Sequence, residues 1–188
     1  MRIGDADVIE GNGTWLGREI RAQHAGVSRV ITPVGGGGLV AGLLCAFDGR
    51  DGREGGSGVD VVGVQPRVNC GMHESLLEGR ALVDYAGGET RCEGLEGGVA
   101  ERTFAVARAH KLPVALVDDE ETLAAVGFAY RALGLVIETS AAVGIAAARA
   151  QRVATDEETV IVVTGGNIEP ALLERAIAFN DRSGTPRR

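Results

Sequence analysis

Four consecutive glycines at positions 35–38 constrain the fold of this chain more than any other feature. The β-branched residues Val30 and Ile31 precede them, and an apolar run that is compatible with a helix, residues 39–47, follows them. Strand, glycine loop and helix in that order place free backbone N–H groups and a helix N-terminus at one point, which favours binding of an anion, most often a phosphate. Glycine suits this loop because a Cβ atom would block close approach of the backbone and would disfavour positive φ.

Several kinds of loop contain such a glycine run. A Walker loop is excluded, because it needs a lysine after its last glycine and this chain has Leu39 there. A dinucleotide loop fits the spacing of Gly36, Gly38 and Ala41, but its partner strand would end in an acidic residue that holds the ribose, whereas here the next predicted strand ends in Gln65. Two other interpretations remain. The loop holds the phosphate of pyridoxal phosphate, or it is a tight turn without a ligand.

The hydrophobic pattern predicts an α/β fold. Apolar β-branched runs alternate with helical patterns five times, which indicates βαβ units and a parallel sheet that helices cover on both faces, a three-layer arrangement in one domain. The predicted strands are residues 30–34, 59–64, 113–117, 135–137 and 159–163. The predicted helices are residues 13–24, 39–47, 69–78, 99–110, 118–133, 141–150 and 170–179, with an exposed loop at 48–58.

Ligands of parallel sheets gather beyond the carboxyl ends of the strands. Three of the five predicted ends carry polar or glycine-rich chemistry, namely the loop Gly35, Gly36, Gly37 and Gly38, the segment that begins at Glu138, and the segment that begins at Thr164. Each of the last two would on its own be read as a helix cap. Together on one sheet edge they predict a single ligand.

Composition excludes several classes of function. The formal net charge of −7 disfavours nucleic acid and anionic membranes as partners. No apolar run approaches the roughly 18 residues of a membrane span, and the N-terminus lacks the apolar core of a signal peptide. Three widely spaced cysteines favour neither a disulfide framework nor a zinc site, so we expect a protein of the reducing cytoplasm.

At this point the chain resembles the fold-type II pyridoxal-phosphate enzymes, and among them the threonine/serine dehydratases and serine racemases. The segments that match their D-V-I-x-G-Q-G-T, S-G-G-G-G-L, G-V-E-P, T-x-x-D-G-L, E-x-x-A-V-G and L-S-G-G-N motifs are, in chain order, residues 7–14 (DVIEGNGT), 34–39 (VGGGGL), 63–66 (GVQP), 90–95 (TRCEGL), 138–144 (ETSAAVG) and 163–167 (VTGGN). The resemblance covers nearly the whole chain. It implies the tryptophan synthase β-like fold.

The resemblance also implies roles for individual residues. The four glycines would hold the cofactor phosphate, Glu138 would lie near the ring, and Thr164 stands where the family has a serine whose hydroxyl meets the pyridine nitrogen. Glu89 and Glu93, with the Cys92 carbonyl, match positions that bind a divalent cation in some members, and such oxygen ligands suit Mg²⁺ or Ca²⁺. A solvated acidic loop is the alternative interpretation of these residues.

The resemblance further implies that the family's Schiff-base lysine lies in a part of the fold that precedes the D-V-I motif. We therefore expect residues 1–182 to form an incomplete large domain without the small domain, followed by a tail at 183–188, and we expect no catalytic residue in this chain. The enzyme of which this chain would be a portion would eliminate from, or racemise, a small hydroxy amino acid. A complementary N-terminal chain or a second copy in a homo-oligomer is the expected partner. A truncated product, a split enzyme, a non-catalytic binding module and an NAD-binding domain all remain open.

Lys111 is the only lysine of the chain. It precedes the predicted strand 113–117, so it is expected at the amino edge of the sheet, opposite the glycine loop. A strand of about five residues spans roughly 16 Å, which a lysine side chain cannot cover. The sequence thus predicts that Lys111 does not serve the cofactor and that the isolated chain binds it weakly and non-covalently.

Overall fold

The computed structural model of the protein describes residues 6–48 and 58–179. The helices in these ranges are α1 Ala6–Ile9, α2 Trp15–Gln23, α3 Gly38–Phe47, α4 Gly71–Glu78, α5 Glu101–Ala109, α6 Asp119–Phe128, α7 Thr139–Arg149 and α8 Pro170–Ala178. The strands are β1 Arg29–Pro33, β2 Asp60–Pro66, β3 Val114–Val117 and β4 Thr159–Ile161. π-Helical turns at Glu10–Thr14 and Ala129–Leu133 and a 3₁₀ turn at Glu93–Leu95 complete the list.

The strands form one parallel sheet with the order β3-β2-β1-β4. Successive side chains of a strand point to opposite faces, and in β1 the buried Val30 and Ile31 accordingly belong to different cores. Val30 packs with apolar residues of α2 to α5, whereas Ile31 packs with those of α6 and α7. The predicted three-layer α/β architecture is thereby confirmed.

The predicted strand at residues 135–137 is wrong. Gly134, with φ of +67°, ends the preceding π turn, and the N–H of Leu135 then donates to the Ala129 carbonyl. The N–H of Glu138 donates to the carbonyl of Gly165. Ile137 is buried as its pattern indicates, but the segment pairs with no strand in the described part of the chain, so the sheet there has four strands instead of five.

The first helical region begins at Ala6, well before the predicted start at residue 13. It passes through the π turn Glu10–Thr14 and crosses α3 at close range, where a Cβ atom on Gly13 would collide with the backbone of Leu39 and Gly42. Glycine is thus needed on this helix so that α3 can approach it. The predicted loop at 48–58 and the tail at 183–188 lie almost wholly outside the described residues. Within the described ranges, no helix is long and apolar enough to cross a membrane.

Candidate functional site

The glycine loop links the carboxyl end of β1 to the N-terminus of α3. Gly37 caps the helix with φ of +92°, and a Cβ atom there would lie 2.7 Å from Cε of Met72 and 2.8 Å from Oγ1 of Thr103. The Ala41 N–H donates to the Gly37 carbonyl at 3.0 Å, the first bond of the helix. The N–H groups of residues 38–40 belong to the first helical turn and have no partner inside the helix, so they are available to an anion.

Thr103 of α5 holds this loop in place. Its buried hydroxyl lies 2.7 Å from the Gly36 carbonyl and 2.9 Å from the Ala100 carbonyl, and it donates its proton to these acceptors. Sequence reasoning missed Thr103, because nothing in the pattern of a helix 67 residues further along signals a contact with the glycine loop.

Gln65 at the end of β2 also contacts the entry to the loop. Its side-chain amide donates to the Val34 carbonyl at 3.0 Å and accepts the His73 N–H at 2.9 Å. The residue is 1% exposed. Since both ends of the amide are engaged inside the protein, Gln65 does not offer the ribose acceptor that a dinucleotide site requires.

A cleft of about 380 Å³ lies over the glycine loop. It is lined by residues 33–40 together with Val8, Asn12, Gly94, Leu95 and Thr164. The structure thus brings the predicted Thr164 to the same cleft as the four glycines. Asn12, in the π turn of the first helical region, was not predicted; π turns inside helices are frequent at functional sites, but the sequence gives no sign of this one.

Glu138 flanks the cleft instead of lining it. It caps α7 with extended backbone, is half-buried, and its carboxylate accepts the Asn167 N–H at 3.2 Å. Cβ atoms built on Gly165 and Gly94 would lie 2.7 Å and 3.6 Å from its Oε1, so both glycines leave room for this carboxylate. The neighbouring Ser140 hydroxyl accepts the Gly94 N–H at 3.0 Å, which fixes the wall of the cleft next to the loop.

None of the side chains that line the cleft is charged. Attraction for an anion would therefore have to come from the backbone N–H groups and from the dipole of α3, whose ten residues run away from the loop. A phosphate group fits this environment, because the glycines permit close approach of the backbone. Thr164 adds a hydroxyl-bearing side chain to the lining of the same cleft.

The predicted cation ligands lie in and before the 3₁₀ turn Glu93–Leu95, which Glu93 begins. Glu89 and Glu93 are exposed, and the Cys92 carbonyl already accepts the Leu95 N–H at 2.9 Å. In the described ranges, no group of three or more His, Cys, Asp or Glu residues is arranged to hold a metal ion. The proposed set contains only two carboxylates, with a backbone carbonyl as the third ligand, so this finding does not test it. The cation site remains a prediction. The Cys92 thiol itself is fully buried, and burial raises its pKa to about 12.

Lys111 lies at the opposite edge of the sheet from the glycine loop. It has φ of +50° and lines a second cleft, of about 740 Å³, with Arg29 and Asp60 at the amino ends of β1 and β2. The glycine loop follows the carboxyl end of β1, so the two features are separated by the length of the strands. Lys111 thus lies at the edge where its sequence position predicts it.

The chain is a parallel α/β domain with a glycine-rich loop at a strand-to-helix junction. The family model described as "Pyridoxal-phosphate dependent enzyme" matches residues 2–165. The chain belongs to this family.

Curated relatives and solved structures agree with that family. The chain is 33% identical over 183 residues to an L-threonine ammonia-lyase of Thermotoga maritima, and 28% identical over 166 residues to serine racemase of Homo sapiens. Those alignments cover 93% and 86% of this chain but 42% and 47% of the relatives, so the chain spans less than half of their length.

Among solved structures, the processed form of threonine deaminase isoform 2 from Solanum lycopersicum matches with a TM-score of 0.79 and 31% identity. That match covers 93% of this chain and 50% of the other. Serine racemase from Dictyostelium discoideum matches with a TM-score of 0.75 and 27% identity, over 88% of this chain and 52% of the other.

Proposed function

We propose that this chain is the pyridoxal-phosphate-binding portion of an enzyme similar to the threonine/serine ammonia-lyases and serine racemases. The observation that carries the proposal is the glycine loop at the N-terminus of α3, with Thr164 lining the same cleft. The proposed substrate class, small hydroxy amino acids, follows the names of the relatives. The proposal includes a reducing cytoplasmic location, because three widely spaced cysteines do not favour a disulfide framework.

Each residue of the cleft has a proposed task in binding. The N–H groups at the start of α3 bind the phosphate, while Thr103 holds the Gly36 carbonyl and keeps the loop in shape. The Thr164 hydroxyl would be the polar partner of the pyridine nitrogen, as the resemblance to the family implies. Pyridoxal phosphate supplies an electron sink for reactions at the α-carbon of an amino acid, and a hydroxyl partner, which is not acidic enough to protonate the ring, makes that sink weaker, as suits elimination and racemisation.

The amine that this chemistry requires comes, in our proposal, from a part of the fold outside this segment, such as a complementary N-terminal chain. Lys111 lies at the wrong edge of the sheet for the task. We therefore expect no ammonia-lyase or racemase activity from the 188 residues alone. Lys111→Ala should leave the affinity for pyridoxal phosphate unchanged, as measured by isothermal titration. Loss of binding in that variant would contradict the placement of the site.

A divalent cation bound by Glu89, Glu93 and the Cys92 carbonyl is the second part of the proposal. Mg²⁺ or Ca²⁺ should then raise the melting temperature, and Glu93→Ala should remove the gain. Glu96→Ala, which removes an exposed carboxylate from the same segment, is the matched control. An equal response of both variants and the unchanged protein would leave an acidic loop without a bound ion.

The phosphate site itself is tested with one substitution and a control of the same type. Gly36→Asp places a carboxylate in the loop, where it fills the space and repels the anion, so neither inorganic phosphate nor pyridoxal phosphate should raise the melting temperature of this variant. Gly79→Asp adds the same charge at an exposed helix end with open space around it and should respond as the unchanged protein does. An equal response of the two variants would refute the assignment of the loop.

A further inference from the structure

The ladder between β1 and β2 lacks one backbone hydrogen bond immediately before the glycine loop. Beyond the end of β1, the Val34 N–H still donates to the Val64 carbonyl at 3.0 Å. In a parallel ladder, a residue that donates to position 64 of its neighbour accepts from the N–H of position 66. That position is Pro66, which has no N–H, so the backbone cannot supply the next bond.

The side chain of Gln65 supplies a donor in its place. Its Nε2 donates to the Val34 carbonyl at 3.0 Å, the same carbonyl that Pro66 leaves without a ladder partner. Its Oε1 accepts the N–H of His73, in the first turn of α4, at 2.9 Å. One buried amide therefore joins the end of β1, the end of β2 and the N-terminus of α4.

This junction lies against the glycine loop in two places. Val34 is bonded directly to Gly35, so the orientation of the Val34 carbonyl sets the entry to the loop. Met72 of α4 lies close to Gly37, because a Cβ atom built on Gly37 would be 2.7 Å from Cε of Met72. The position of α4 therefore limits the space at the other end of the loop.

We infer that Gln65 is a positioning residue for the phosphate-binding loop, an inference that rests on the proposed function and extends it. The position requires a donor toward Val34 and an acceptor toward His73 at the same time, and an amide provides both. An ionised glutamate, the residue in the G-V-E-P motif, would have only acceptors and would face the Val34 carbonyl with a negative charge. A protonated glutamate has a donor and an acceptor and satisfies both partners.

Two substitutions and one control test this role in the full chain. Gln65→Met keeps the approximate length and apolar stem but removes both hydrogen bonds. Hydrogen exchange of the segment 34–41 should then accelerate, and the Kd for inorganic phosphate should rise roughly tenfold, the loss expected when a buried carbonyl loses its donor. Thr122→Val removes a buried hydroxyl of α6 that donates to the carbonyl of Asp118, the N-cap of that helix, and should lower the melting temperature without either effect.

Gln65→Glu provides a test within a single protein, which also serves if the methionine variant does not fold. Burial beside a carbonyl raises the pKa of the new carboxyl, so it is protonated at low pH and can donate to Val34. The measured quantity is the ratio of the phosphate affinity of Gln65→Glu to that of the unchanged protein at the same pH. This ratio should be close to one near pH 5.5 and should fall as the pH rises to about 8. Arg67, Cys70, His73 and Glu74, the charged or titratable residues that follow Gln65 in the chain up to the first turn of α4, are present in both proteins, so the ratio removes their contribution.

The possible results separate this inference from the proposed function. Unchanged exchange of residues 34–41 in Gln65→Met, or a Gln65→Glu ratio that does not vary with pH, would overturn the role of Gln65. Failure of the unchanged protein to bind phosphate would contradict the proposed function, whereas the exchange measurement would still decide whether Gln65 orders the loop.

Discussion

Replacement of Gly37 by alanine should destabilise the protein by more than its backbone angle alone predicts. The φ of +92° places Gly37 in the left-handed region, where an L-residue costs about 1–2 kcal/mol. The new Cβ would also lie 2.7 Å from Cε of Met72, 2.8 Å from Oγ1 of Thr103 and 2.9 Å from its Cβ. Inserting an extra atom into a packed core typically lowers the free energy of unfolding by about another 1–3 kcal/mol. We therefore expect a loss of about 2–5 kcal/mol in the free energy of unfolding.

Gly79→Ala is the matched control for this substitution. Gly79 has φ of +74°, and no heavy atom lies within 4 Å of a Cβ built on it, so this variant carries the backbone strain without the collision. Urea unfolding of the two variants should differ by about 1–3 kcal/mol, and only Gly37→Ala should lose affinity for inorganic phosphate. Equal destabilisation of the two variants, or unchanged phosphate affinity in Gly37→Ala, would refute the packing argument for the loop.

Two further predictions concern the hydroxyl of Thr103 and the buried thiol of Cys92. Thr103→Val removes the donor to the Gly36 carbonyl at constant shape and should weaken phosphate binding, whereas Thr103→Ser should retain it; equal titration curves for both variants would contradict this role. Burial raises the pKa of Cys92 from 9.0 to about 12, so the unfolded chain loses this proton at lower pH than the folded protein does. The free energy of unfolding should thus fall above about pH 9, by at most about 1.4 kcal/mol per pH unit from this group, and Cys92→Ala should flatten that slope.

Features that depend on local chemistry were predictable from the sequence. Asp118 stands at the start of the predicted helix 118–133, and it forms a capping box in which its carboxylate accepts the Glu121 N–H at 2.8 Å while the Glu121 carboxylate accepts the Asp118 N–H at 3.0 Å. The glycine loop was equally predictable, because its order of strand, glycines and helix is a local signal. The parallel sheet followed from the alternation of periods along the chain.

Features that depend on tertiary contacts were not predictable. The apolar residues 135–137 have the composition of a strand, but Ala129 and Gly165 accept the N–H groups of Leu135 and Glu138, and no neighbouring strand pairs with them in the described residues. Thr103 reaches the site through packing between distant segments, which leaves no trace in local patterns. Asn12 lies in the matched segment 7–14, but that match does not show that it lines the cleft. The π turn at Glu10–Thr14 lies in a glycine-rich stretch that the hydrophobic period alone does not identify as helical.

We propose that this cleft binds pyridoxal phosphate through its phosphate group. Isothermal titration of the full chain with pyridoxal phosphate, with pyridoxal, and with pyridoxal phosphate in the presence of excess inorganic phosphate tests that claim most directly. We predict that pyridoxal phosphate binds, that inorganic phosphate displaces it, and that pyridoxal, which lacks the phosphate, binds far more weakly. Equal binding of pyridoxal and pyridoxal phosphate, or binding of NAD with no binding of pyridoxal phosphate, would contradict it.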